Sequence, residues 1–140
     1  MKSVLRSAVA VPAGLLVLII LVVAIELFSA VVHPFPDGFK ETTEEICRHV
    51  ERYPQWVLAV VVPAWAAAAF ASTWTAGRIG NVYSASIVGL LLLAALACNV
   101  SMLPYPTWFK IANLLVIPLA VFAGIRSSMS RKTTNTDAGN

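Results

Sequence analysis

Glu26 has the most chemistry to offer, because it interrupts a long apolar run and is followed by Ser29 and His33 three and seven positions later. If the run is helical the three share one face, with Glu26 at its deep end. A carboxylate surrounded by hydrocarbon costs a few kcal/mol unless it is protonated, paired or hydrated. Its chemistry there is proton exchange or cation binding, and it is expected to turn towards other helices rather than lipid. Cys98, Asn99 and Ser101 close a later apolar stretch, and Lys110 and Asn113 open the next one. If successive stretches run in opposite directions, these groups fall at the depth of Glu26. The candidate intramembrane polar cluster is therefore Glu26, Ser29, His33, Asn99, Lys110 and Asn113, with Lys110 as counter-ion and His33 at the mouth. The same residues could instead form an interhelical hydrogen-bond network, each link worth about 0.6–2 kcal/mol. His49 is read as solvated.

Other chemistries lack their residues. There is no Gly-x-Ser-x-Gly, no His-Glu-x-x-His and no glycine-rich phosphate loop, so no catalytic residue is expected and the chain is read as no enzyme. Cys47 and Cys98 match no zinc or redox spacing. His33 at a helix end and His49 in a connection do not suit bis-histidine haem, so no metal or cofactor is expected.

The elements that must position the cluster follow from composition. Of 140 residues, 59% are hydrophobic and 12% charged, against roughly 45–50% and about 25% in an ordinary soluble domain. A water-soluble globule is excluded, and the lipid bilayer is the expected surroundings. About 20 apolar residues cross about 30 Å of hydrocarbon as a helix, and four stretches qualify, at about 12–32, 55–76, 83–103 and 107–125. A signal peptide is the competing reading of the first. Its apolar core is too long, and Glu26 would lie just before the cut, so an uncleaved helix is expected.

The connection between the first two spans holds a shorter element. Thr42 and Glu45 have capping-box spacing, and Ile46, Cys47, Val50 and Tyr53 share a face until Pro54. An amphipathic helix is expected over about 43–53, resting on the membrane surface or the bundle rim, or acting as a lid. The expected fold is an all-α integral membrane four-helix bundle over 1–126 carrying this helix, followed by a flexible polar tail at 127–140.

Charge sets the orientation. Lys2, Arg6, Arg78, Arg126, Arg131 and Lys132 fall on one side, against Lys40, Arg48, Arg52 and Lys110 on the other, which also holds five carboxylates. Both termini are thus expected in the cytoplasm, with the chain in the cell (inner) membrane. No basic face with a docking helix points to nucleic acid. The partners expected besides lipid are a second copy of the chain or another membrane protein.

Two patterns remain. Pro34-Phe35-Pro36-Asp37-Gly38-Phe39 recurs seventy positions later as Pro104-Tyr105-Pro106-Thr107-Trp108-Phe109, which suggests either a duplicated helix pair or aromatic and proline residues independently suited to span ends. Ala64, Ala68, Ser72 and Ala76, with Ala85 and Gly89, are small residues at four-residue spacing, so the second and third spans are expected to pack as a tight antiparallel pair.

Glu26, His33-Pro34-Phe35-Pro36, Ala76-Gly77-Arg78-Ile79 and Asn99 with Pro104-x-Pro106-x-Trp108 together resemble small uncharacterised bacterial four-helix membrane proteins. That resemblance, over about residues 26–124, implies the fold and no activity, substrate or cofactor. The chain is more loosely similar to the small multidrug resistance family in having four short helices and an acidic residue in the first. It departs in its long first connection, its Pro-aromatic-Pro elements and its charged tail, so Glu26 alone carries over. Two functions are consistent with the sequence: a structural or partner-interaction role in the membrane, and an oligomeric proton- or cation-coupled carrier or channel component using Glu26.

Overall fold

The computed structural model describes residues 2–137, with side chains from 6 to 130, and is helical throughout. Five helices follow in order: α1 (Lys2–Val32), α2 (Thr43–Glu51), α3 (Gln55–Ile79), α4 (Val82–Met102) and α5 (Thr107–Asp137). All but α2 are long and apolar enough to cross a membrane, and no strand occurs among the described residues.

Local chemistry sets most helix ends. Thr42 caps α2 by accepting the Glu45 amide, with Glu44 and Glu45 in the first turn and Arg48 and His49 in the last, as the helix dipole favours. Asn81 caps α4 by accepting the Tyr83 and Ser84 amides at 2.9 and 3.2 Å. Pro104 and Pro106 separate α4 from α5. In the α1–α2 connection, Gly38 takes a φ of 77° in a turn closed by the Phe39 amide on the Pro36 carbonyl.

Three expected boundaries need correction. Helix α1 begins ten residues before the expected start at 12, because its first turns hold no breaker and are tied to the α3–α4 turn. Arg6 Nε donates to the Ile79 carbonyl at 3.2 Å, and Asn81 Nδ2 to Ser7 Oγ at 3.0 Å. Helix α5 does not stop at 125: residues 127–137 of the expected flexible tail are helical, since neither Pro nor Gly interrupts them. Ser128 there is fully buried and donates to the Ile125 carbonyl. Residues 138–140 of that tail lie outside the described residues. Helix α2 ends at Glu51, two residues early, where the Arg52 and Tyr53 amides bond back to His49 and Val50.

Helix α3 is the centre of the bundle. Helices α1, α4 and α5 all pack on it, α4 also touches α1 and α5, and α1 and α5 do not meet among the described residues. The expected pairing of the second and third spans, α3 and α4, is present, but α3 packs more extensively on α5 and α1. A Cβ on Gly14 of α1 would sit 2.9 Å from both the Ser72 carbonyl and Ala76 Cβ, so α1 takes a close place on the small-residue stripe of α3. Higher up, Ala64 and Ala68 border a groove with Leu21, Ala24, Ile25 and Phe28 of α1. The helix pairs carrying the two proline-aromatic segments are also packed unequally, α1 lying along α3 far more closely than α4 along α5.

The two ends of the bundle thus differ. Near the α3–α4 turn, glycines and small residues bring backbones together. Towards α2, bulky side chains spread the helices: Phe109 is fully buried against Val57, Leu58 and Val61, with Trp65 and Tyr105 beside them. A cavity is left at that end.

Candidate functional site

Two neighbouring chambers lie at this end. The larger, of about 520 Å³, is bordered by Glu26 and Ser29 of α1, Trp65 of α3 and Asn99 of α4, by Tyr53 and Tyr105 from the connections, and by Phe109 of α5. Ile46, His49 and Val50 of α2 face it from the loop side with Phe35 and Phe39. The smaller, of about 200 Å³, continues towards the middle of the helices between Leu18 and Val22 of α1 and Leu92, Ala95 and Leu96 of α4. Its lining is apolar apart from Glu26, Asn99 and Trp65. Those three residues border both.

The three differ in what they present. Trp65 Nε1 and Asn99 Oδ1 are buried without a hydrogen-bond partner, and Glu26 has neither an ion pair nor a hydrogen-bonding side chain among the described residues. Buried polar atoms are nearly always satisfied, but Trp65 Nε1 and Asn99 Oδ1 are covered by protein, so of the three residues Glu26 is the one that presents an unused polar group to the cavities. Glu26 is itself exposed and borders the smaller chamber along the α1–α4 seam, so it is not turned wholly towards other helices as expected. It is therefore reached both from the large chamber and from the flank of the bundle.

An aromatic cluster roofs the large chamber. The His33 and His49 rings stack with centroids 4.2 Å apart, Phe35 stacks on His49 at 4.4 Å, and Tyr53 lies 4.6 Å from His33. His33 Nε2 approaches the His49 carbonyl at 3.3 Å, where the Nε2–H tautomer donates. No backbone segment of α2 approaches the long helices closely, so these side chains hold it in place. His49 is only 8% exposed and its Nε2 has no partner, which corrects the reading of it as solvated.

Burial raises the pKa of the two phenols that border the large chamber. It pushes Tyr105 up to about 12, with the nearby Glu26 and Tyr53 charges adding to the effect. Burial also raises Tyr53, although its hydrogen bond with Ser29 opposes the shift. For His49, burial first and the His33 charge second lower the pKa below its ordinary 6.5. The sign follows from linkage: the docked α2 excludes a proton that the undocked helix accepts, so docking is strongest above pH 6.5 and weakens as pH falls towards the lower, docked value. Glu41, Tyr53 and Glu26 face the same chamber, while Glu45, Arg48 and Arg52 lie on the far side of His49. Amide-exchange protection over residues 46–51, corrected for intrinsic rates, is expected to drop between about pH 7 and pH 5. His49→Phe, which keeps a ring but cannot charge, should abolish that drop; an unchanged profile would refute the assignment.

The six residues singled out in the sequence are thus dispersed. Glu26, Ser29 and Asn99 border the large chamber. His33 lies behind its roof, in a separate groove with Arg48 and Arg52. Lys110 borders neither chamber and pairs with no carboxylate among the described residues, because Phe109 takes the inward face and the next position is turned about 100° away. Asn113 is fully buried one turn deeper, with Nδ2 donating to the Phe109 carbonyl at 2.9 Å and Oδ1 unpartnered.

Residues that the depth argument missed carry much of the site. Trp65 had one available signal, since it lies ten positions into α3, away from the span ends where tryptophan ordinarily gathers. The repeated segments held another: Phe35 and Tyr105 occupy equivalent positions, as do Phe39 and Phe109, and all four line the same chamber. Set against family models, curated proteins and solved structures, the chain matches none of them.

Proposed function

We propose that the chain is a multi-pass membrane protein, not an enzyme, whose cavity receives a cation or small amphipathic solute at Glu26 as the binding unit of an oligomeric carrier or channel component. Four helices of spanning length and apolarity support the bilayer as its surroundings. The surplus of Lys and Arg at the end holding the α3–α4 turn supports both termini in the cytoplasm of a cell with the chain in its inner membrane. The cavity then opens outwards under α2.

The observation that carries this reading is Glu26, which borders both cavities with neither an ion pair nor a hydrogen-bonding side chain among the described residues. A purely structural role would tie that carboxylate to a neighbouring side chain. Here it is left without one while the opposite end is closed by Gly14 on Ser72 and Ala76. Four short spans enclose little space, and the exposed flank of Glu26 gives a second copy a reason to pack along the α1–α4 seam.

Glu26→Gln tests the reading. Reconstituted in vesicles, it is expected to lower pH-dependent flux of small organic cations by roughly tenfold or more, about 1.4 kcal/mol or more in the relevant step, at unchanged abundance. Loss of abundance with unchanged flux per molecule would overturn it in favour of a structural role.

A further inference from the structure

Resting on that reading, we infer that the ligand of the large chamber is a linear aliphatic diamine, held at one end by Glu26 and at the other by Glu41. The lining of this chamber carries these two carboxylates and neither a Lys nor an Arg. Both residues are exposed, and neither has an ion pair or a hydrogen-bonding side chain among the described residues. The neighbouring acidic groups are placed otherwise. Glu44 pairs with Arg48 at 2.9 Å, Glu45 accepts the Lys40 amide, and Asp37 faces the groove that holds Arg48 and Arg52. The fold thus leaves unspent the two carboxylates that border the large chamber.

Their separation decides between one charge and two. Glu26 lies six residues before the end of α1 at Val32, or about 9 Å at about 1.5 Å per residue, and Glu41 belongs to the connection beyond that end. A hard metal ion binds oxygen at about 2.0–2.6 Å, so a single ion does not bridge the pair. A monoamine answers one carboxylate and leaves the other without a counter-charge. An amino acid with a basic side chain adds a carboxylate that no Lys or Arg of the lining receives. Two ammonium groups on a methylene chain meet both charges and add none of the wrong sign.

The walls suit the chain between the heads. Phe35, Phe39, Tyr53 and Tyr105 line the chamber, and aromatic faces attract ammonium groups while packing against methylenes. Its volume of about 520 Å³ falls within the roughly 300–1,000 Å³ usual for small-molecule sites, so an extended diamine fits with water beside its heads. Entry is from the α2 side, where Glu41 precedes the helix and meets the ligand first. The α1–α4 flank stays available to a second copy of the chain.

The test is calorimetric titration of the full chain in phosphatidylcholine nanodiscs, whose headgroups carry no net charge to collect the probes. The probes are hexane-1,6-diamine, octane-1,8-diamine, ethane-1,2-diamine, butylamine and 6-aminohexanoate. The two longer diamines are expected to bind roughly tenfold or more tightly than butylamine. Ethane-1,2-diamine, too short to reach both carboxylates, should fall near butylamine, and 6-aminohexanoate below it. Glu26→Gln should weaken every amine. Glu41→Gln should lower the affinity for the longer diamines roughly tenfold and leave butylamine unchanged, a split that a merely structural role for Glu41 would not produce. Because Glu41 is exposed and pairs with no side chain among the described residues, this variant keeps the proposal testable should Glu26→Gln lower abundance. Longer diamines binding no more tightly than butylamine, or an equal loss for both in Glu41→Gln, would overturn the two-headed ligand. Glu26-dependent binding of amines would then still support the cavity reading. Binding of no amine in a Glu26-dependent way would overturn that reading together with this one.

Discussion

Gly124→Leu is expected to leave little folded protein. A Cβ at this position would sit 2.7 Å from the Phe70 carbonyl oxygen and closer still to Thr73 Oγ1. Neither can give way easily. The carbonyl belongs to the backbone of the central helix, and the Thr73 side chain is fully buried with its hydroxyl donating to the Ala69 and Phe70 carbonyls at 2.7 and 3.1 Å. Relief requires α3 and α5 to move apart, and they form the most extensive pairing in the molecule. Overpacking usually costs about 1–3 kcal/mol, and a leucine pressed on backbone should reach or pass the upper end. Reversible unfolding in mixed micelles would measure the loss, and Gly124→Ala should fall between. A leucine variant as stable as the parent would refute the α3–α5 contact.

Phe109→Ala is expected to cost about 3 kcal/mol, within the range seen when a buried aromatic ring is truncated. The ring is fully buried, meets Trp65 edge-on at 5.8 Å and lies 4.7 Å from the Tyr105 ring. Its removal leaves a void that Val57, Leu58 and Val61 cannot collapse into while Pro54 and the Trp108–Gln55 hydrogen bond hold the helix starts in place. Since Phe109 also borders the large chamber, the void would join it and admit water to Trp65. Two readings should move together: a lower unfolding midpoint, and stronger quenching of Trp65 by a water-soluble quencher. Phe109→Leu should show about half of the stability loss, in keeping with the smaller volume removed. A loss under about 1 kcal/mol for Phe109→Ala would mean that the ring does not wedge the helices apart.

Helix content was legible because it depends on one-dimensional properties. Runs of apolar residues, Thr42 as a cap and Pro54, Pro104 and Pro106 as stops can be read along the chain. Polar composition suggests a flexible tail from 127, yet α5 runs on to Asp137 because neither Gly nor Pro forces a break before it. Depth brought Glu26 and Asn99 to the same chamber. It also wrongly grouped Lys110 with them, because depth says nothing of rotation about the helix axis.

Rotation is what only the tertiary structure decided. A helix in water shows its inward side by an apolar stripe, but a helix with hydrocarbon on one side and apolar neighbours on the other is apolar all round and carries no such mark. The choice of α3 as the centre, the seating of Gly14 on its small-residue stripe and the turning of Trp65 towards Asn99 were all settled by shape, through which surfaces could approach most closely. The sequence by itself determined that a carboxylate would interrupt a long apolar helix. Packing determined which groups it would face, because close contact among side chains depends on three-dimensional complementarity that no linear pattern encodes.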